Sequence, residues 1–178
     1  ITEEESRKDD VAAARMMSSR EHLQQIALAM HNYHDTHSKF PGACTRSENN
    51  KSLLSWRVQL LPFLEQFELY DEFHQDEPWD SPHNKSLIGR MPEVFRSPGA
   101  KSSKPGMTTY QTVSGDNMIF PQDGNQVSIQ DITDGTSNTA LVIDASPEFE
   151  TIWTKPGDLQ PDPVIIRKAL NDRFQNGG

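Results

Sequence analysis

The chain has 178 residues, of which 34% are hydrophobic, enough for one domain with a modest core. Its formal net charge of -9 argues against nucleic acid as a partner, because binding phosphates requires a basic face. With Cys44 as the one cysteine, an internal disulfide is excluded, and no apolar run approaches the roughly 18 residues that span a bilayer.

The N-terminal part of the chain predicts one long amphipathic helix. Thr2 and Glu5 fit a capping box at its start, and small or apolar residues then recur at steps of three and four. We expect the helix to continue to about Phe40, where Pro41 stops it, with an apolar face over most of its length. That face is formed by Ala12, Met16, Leu23, Ile26, Ala27, Met30 and Tyr33.

A second helical region is predicted after a polar loop at 43–51. Ser55 begins it, and Pro62 marks either a kink or the first turn of a new helix. Four aromatic residues then recur at helical spacing, which predicts that they pack in the core rather than bind a ligand. They are Phe63, Phe67, Tyr70 and Phe73.

A short helix is predicted further on, because Ser81 followed by Pro82 is a favourable helix start. We expect it to cover His83–Ile88 and to end at Gly89. Residues 97–107 are rich in Ser, Lys, Gly and Pro and are predicted to form a loop.

The pattern changes to short β-strands from Thr108 onwards, before a weak helix signal from Ile165 to Phe174. Helices followed by strands predict an α+β fold with an antiparallel sheet. We divide one domain, 1–178, into an N-terminal helix (1–41), a helical and loop-rich insertion (42–107) and a β-sheet region (108–178). The predicted strands are Thr109–Val113, Met118–Phe120, Val127–Ile129, Thr139–Asp144 and Ile152–Thr154.

Five blocks of sequence, in a fixed order, resemble one known family. They read LQQIALAMHNYHDTHSKFP, SWRVQLLPFLEQFELYDEF, EPWDSPHNKSLIGRMPEVFRSP, ITDGTSNTALVID and WTKPGDL, and the match runs from about Ala13 to Leu159. The family is the planctomycete-type domain of unknown function 1559, whose members are similar to the pseudopilins of type II secretion and type IV pilus systems. The resemblance implies a pilin-like fold, in which the long N-terminal helix lies along an antiparallel sheet.

Two features of this chain depart from the family pattern. Relatives typically carry a membrane-spanning stretch just before the block that matches Ala13, whereas this chain has EEESRKDD there, which cannot enter hydrocarbon. We therefore expect no membrane span in this chain: it is a soluble variant, or the family's anchor has been lost or replaced. Many relatives also carry Cys near the positions of Ser19 and Ser97.

The resemblance implies a structural or interaction domain rather than an enzyme. Such a domain packs against copies of itself or against a protein partner, in secretion or cell-envelope assembly, and therefore lies in the periplasm or cell envelope. The sequence contains no HExxH, GxSxG or Gly-rich phosphate loop, so we expect no catalytic residues. The alternative is a solute-binding-like domain that holds a small ligand or Ca²⁺.

Two sets of side chains are candidate metal ligands. Asp131, Asp134 and Asn138 form an oxygen-rich loop of the kind that binds Ca²⁺, although Asp and Asn in such loops more commonly cap the turn. His31 and His34 lie three residues apart on the predicted helix, where imidazoles share a face and can also serve as structural hydrogen-bonding groups. We expect no other cofactor.

Overall fold

The computed structural model describes residues 2–98, 104–115, 118–121, 124–132 and 141–174. The helices in these ranges are α1 (Glu3–His37), α2 (Trp56–Gln59), α3 (Phe67–Glu72), α4 (Pro82–Ser86) and α5 (Pro163–Phe174). The strands are β1 (Cys44–Arg46), β2 (Ser52–Ser55), β3 (Met107–Thr108), β4 (Tyr110–Gln111), β5 (Ile143–Asp144) and β6 (Thr151–Ile152).

The strands pair two by two, and every pair is antiparallel. β1 pairs with β2, β3 with β6, and β4 with β5, so the described strands form separate two-stranded sheets. The predicted α+β class is confirmed, but the prediction of one sheet under the long helix is not borne out in the described residues. Strands of two to four residues give each ladder few hydrogen bonds, so side-chain packing must hold the pairs together.

Two of the predicted strands are wrong. Val127–Ile129 leads instead into a 3-10 helix at Ile129–Asp131, because the Asp131 carboxylate accepts from the Ser128 N–H and hydroxyl and closes the turn. In Met118–Phe120 only Phe120 forms a bridge, to Ser114. Both segments have β-branched or aromatic residues, but each is too short to show a period that separates strand from turn.

The remaining predictions in the β-sheet region are partly confirmed. Of Thr139–Asp144, only Ile143–Asp144 is a strand, and residues 139–140 lie outside the described part. The predicted strand at 109–113 contains β4. The predicted strand Ile152–Thr154 is replaced by β6, which covers Thr151–Ile152. The C-terminal helix is present as α5.

Helix α1 begins where the capping box predicted. The Thr2 hydroxyl accepts from the Glu5 N–H at 3.3 Å, and the Glu5 carboxylate accepts from the Thr2 N–H at 2.8 Å. The helix ends at His37, before the expected Phe40, because Ser38 takes a left-handed conformation at φ 61° that breaks the ladder. No helix in the described residues combines the length and apolar character needed to cross a bilayer.

The predicted apolar face of α1 is buried only in the C-terminal half of the helix. Ile26 and Met30 are fully buried against the core. Residues 2–17 are exposed on every side, and Met16 is 71% exposed. The prediction for Ala12 and Met16 is therefore wrong, since the first buried side chain of α1 is Ser19.

The insertion contains a hairpin that the sequence did not predict. The predicted loop at 43–51 holds β1, which pairs with β2 across a turn where Asn50 has φ 59°. A strand of three residues has no measurable period, so sequence alone does not reveal it. Ser55 then caps α2, as predicted, by accepting from the Arg57 N–H.

The predicted helix starts in the insertion are confirmed, whereas the aromatic stripe is only partly buried. Pro62 lies in the first turn of a 3-10 helix at Leu61–Leu64. Ser81 caps α4, which is followed by a second short helix at 88–90. Phe73 is buried, but Phe67 is 61% exposed, so its assignment to the core is wrong.

The core is built from aromatic rings that come from distant parts of the chain. Phe95 stacks on Trp153 with 5.9 Å between ring centroids and meets Trp56 edge-on at 6.1 Å. The C-terminal half of α1 covers this cluster with Ile26 and Met30. Aromatic pairs in these geometries add stabilisation beyond the area that they bury.

Candidate functional site

His31 and His34, the predicted metal ligands on α1, both pack against Phe40. The His34 ring lies 5.0 Å from the Phe40 ring, and its Nε2 accepts from the Ile129 N–H at 3.2 Å. Because Nε2 is the acceptor, the ring proton of neutral His34 is on Nδ1. The Nε2 hydrogen bond therefore ties α1 to the 129–131 turn. In the described residues, no cluster of three or more His, Cys, Asp or Glu side chains is arranged to hold a metal ion.

Asp131, the first predicted calcium ligand, serves as a turn cap. One of its carboxylate oxygens accepts from the Ser128 N–H at 2.9 Å and from the Ser128 hydroxyl at 2.8 Å. These hydrogen bonds, the backbone one first, hold the pKa of Asp131 below its usual value. Asp134 and Asn138 lie outside the described residues, so the calcium site stays a prediction.

A buried ion pair joins two of the family-like sequence blocks. Arg57 Nη2 lies 3.0 Å from both carboxylate oxygens of Asp158, and the two side chains are 0% and 3% exposed. The same carboxylate accepts from Trp56 Nε1 at 2.8 Å and from the Thr112 N–H at 2.7 Å. Burial lowers the pKa of Arg57, an effect that the charge of Asp158 opposes.

A second buried carboxylate, Asp144, fastens α1 to β5. Its oxygens accept from the hydroxyl groups of Ser19 at 2.5 Å, Thr109 at 2.6 Å and Ser97 at 3.2 Å. The Tyr110 hydroxyl donates in turn to Ser19 at 3.2 Å. Ser19 and Ser97, which are 78 residues apart in the chain, thus meet at one carboxylate.

The buried side chain of Asn84 organises the segment before α4. Its amide nitrogen donates to the backbone carbonyls of His74, Glu77 and Pro78 at 3.0 to 3.2 Å, and its oxygen accepts from the His74 N–H. A single side chain therefore satisfies four backbone groups of a turn-rich segment. Like the two carboxylates, it uses its polar atoms to hold the fold.

The described surface also contains an open groove of about 450 Å³ beside α1. One wall is the face of α1 from Gln25 to Asn32, and the others are segments 63–66 and 92–94. Leu28, in the α1 wall, is 61% exposed. The groove is open to solvent, unlike the enclosed sites that bury most of a small ligand.

Sequence reasoning missed the polar groups that the fold brings together. Arg57 and Asp158 are about a hundred residues apart, and neither stands in a recognisable catalytic or ligand motif. The sequence feature that could have indicated the pair is that Arg57 and Asp158 lie inside the family-like blocks SWRVQLL and WTKPGDL. Ser19 and Ser97 stand in no motif that would mark them as partners of one carboxylate.

Comparison with known proteins gives one family. Residues 12–168 match a family described as proteins of unknown function, DUF1559. No curated protein and no solved structure matches. The family match covers most of the chain and includes both partners of the Arg57–Asp158 pair. The chain therefore belongs to the DUF1559 family.

Proposed function

We propose that this chain is a pseudopilin-like structural and interaction domain that binds a protein partner or further copies of itself. The setting that we propose is secretion or cell-envelope assembly, in the periplasm or elsewhere in the envelope. Membership of the DUF1559 family and the long N-terminal helix support this proposal. The link from this family to secretion is the resemblance of its members to pseudopilins.

The observation that carries the proposal is the apolar surface that α1 leaves exposed. Met16, Met17 and Leu28 are 71%, 66% and 61% exposed, and the groove opens beside Leu28. Leu28 lies in the groove lining, whereas Met16 and Met17 lie nearer the start of the same helix, and an exposed apolar side chain at a groove is a candidate contact for a partner. Phe67, which follows the groove residue Gln66 in the chain, is also 61% exposed.

Two properties of the molecule favour an interaction role over catalysis or solute binding. The buried carboxylates of Asp144 and Asp158 accept hydrogen bonds from the protein itself on both of their oxygens. A solute-binding domain would need an enclosed pocket with convergent polar groups, whereas the groove beside α1 is open. The net charge of -9 favours protein over nucleic acid as the partner.

The test is co-purification from the native host with matched surface variants. We expect wild type and Val164→Ser to recover the same partner or the same self-association, and Leu28→Ser to lose it. Val164 is the matched control because it is 76% exposed on α5, away from the groove lining. Turnover of a substrate that one substitution in the groove abolishes would overturn the proposal in favour of an enzyme.

A further inference from the structure

We propose that the groove beside α1 binds a cationic amphipathic segment of a partner protein. The apolar side chains of that segment face Leu28 and its neighbours, and its Lys or Arg side chains meet the carboxylates at the rim. This inference rests on the proposed interaction function and adds the chemistry of the partner.

The apolar part of the groove comes from three separated segments of the chain. Leu28 projects from α1, Phe63 and Leu64 come from the 3-10 helix, and Pro92 and Val94 come from the segment before the core residue Phe95. Leu28 remains 61% exposed, so a partner that covers it removes further apolar area from water.

The wall formed by α1 has the spacing of a helix face. Leu28 and Ala29 follow Gln25 by three and four residues, and Asn32 follows them by four and three, so all four lie on one side of the helix. An apolar residue flanked by amides along such a face can pack against an amphipathic helix and hydrogen-bond to its polar side chains. This is the helix-in-groove mode of peptide recognition.

The charge of the groove lining favours a cationic partner. Its lining contains the carboxylates of Glu65 and Glu93 and no Lys, Arg or His. Glu93 is 74% exposed and pairs with Arg96 at 3.1 Å, outside the lining. Glu65 forms no ion pair with any described residue, and complementary charge at such a rim steers association and rejects acidic partners.

The backbone fixes Glu65 at this rim. It caps the 3-10 helix at Leu61–Leu64 in a left-handed conformation with φ 60°, which Gly or Asn adopts more readily than Glu. The cap therefore sets the backbone position of Glu65 beside the groove residues Phe63 and Leu64. The next acidic residue, Glu68, is also exposed.

The experiment selects binders from a library of displayed random peptides on the purified full chain. We expect the selected peptides to combine Lys or Arg with bulky apolar residues. Their affinities are then measured by fluorescence anisotropy with the labelled peptides at two salt concentrations. Rim charges predict that affinity falls as salt rises, because ions screen exposed charges.

Paired variants connect binding to the groove. Leu28→Ser should weaken binding by about tenfold, the effect of losing a partly buried leucine. Glu65→Gln should weaken it by about two- to fivefold, the effect of one exposed ion pair. Val164→Ser and Glu48→Gln are the matched controls and should leave binding unchanged, since both residues are exposed and neither lines the groove. Thermal melts confirm that each variant is folded.

Selected peptides that are neutral or acidic, or that bind Leu28→Ser as tightly as wild type, would overturn this inference. So would a selection that yields no binder. If a host partner still co-purifies in a Leu28-dependent manner, the proposed function stands and only the chemistry assigned to the partner fails. If cationic peptides bind through Leu28 and Glu65 but no host partner is found, the groove assignment stands and the proposed function fails.

Discussion

Replacing Asp158 with Asn tests whether the buried ion pair holds the fold together. The Asp158 carboxylate accepts from Arg57, Trp56 and Thr112, and Arg57 also donates to the Tyr110 carbonyl at 2.5 Å. Asn retains one acceptor oxygen but removes the negative charge and directs an NH₂ group toward these donors. Arg57 is then left buried and charged without its counterion.

The expected loss is about 3–5 kcal/mol, the usual effect of removing one partner of a buried pair. This is a large share of a stability that typically lies at about 5–15 kcal/mol. Arg57→Met combined with Asp158→Leu should not restore stability. It leaves the Trp56 and Thr112 N–H groups unpaired, and each such group costs about 1–3 kcal/mol.

The assay is urea unfolding followed by tryptophan fluorescence. With an m value of about 2 kcal/mol/M, the midpoint should fall by about 1.5–2.5 M. Asp162→Asn is the matched control: Asp162 is exposed and caps α5 by accepting from the Val164 N–H at 2.7 Å. Asn caps as well as Asp, so this midpoint should move little. A loss below about 1 kcal/mol for Asp158→Asn would refute the reasoning.

Three further predictions follow from the other polar groups. Asn84→Ala should lower the free energy of unfolding by about 2–4 kcal/mol, because backbone groups in the 74–78 segment lose their hydrogen-bond partner. A loss below about 1 kcal/mol in urea unfolding would contradict this prediction. The double variant Ser19→Cys with Ser97→Cys should form a disulfide on mild oxidation. The intact mass would then fall by two hydrogens. If both thiols stay free, the two positions do not meet. For the candidate calcium loop, the turn-cap interpretation predicts that excess Ca²⁺ leaves the melting temperature at its value in EDTA. A rise in wild type that is lost in Asp134→Ala would contradict the turn cap and establish an ion site.

The parts of the fold that local rules govern were predictable from sequence. The capping box of Thr2 and Glu5 set the start of α1, and Ser81 with Pro82 set the start of α4. Each signal involves neighbours within a few residues, so no knowledge of the tertiary structure is needed.

The parts that depend on distant contacts were not predictable. Met16 has the spacing of a core residue, but nothing in the described part of the chain packs over it, so it is exposed. Asp158 lies in a proline-rich segment that looks like a surface loop, yet it is buried because Arg57 and Trp56 reach it from across the fold. Hydrophobic periodicity and composition describe neighbours in the chain and do not reveal contacts between distant residues. The family-like blocks indicate only which segments contain such contacts.

The most direct test of the central claim, that this domain acts by binding a protein through the exposed side of α1, is photo-cross-linking in intact host cells. A photoreactive amino acid is placed at Leu28 in one variant and at Val164 in another, and adducts are identified by mass spectrometry. Both positions are exposed, so solvent access alone does not distinguish them. The account predicts one recurrent protein adduct from position 28 and none from position 164. Equal adducts from both positions, or none from position 28, would contradict it.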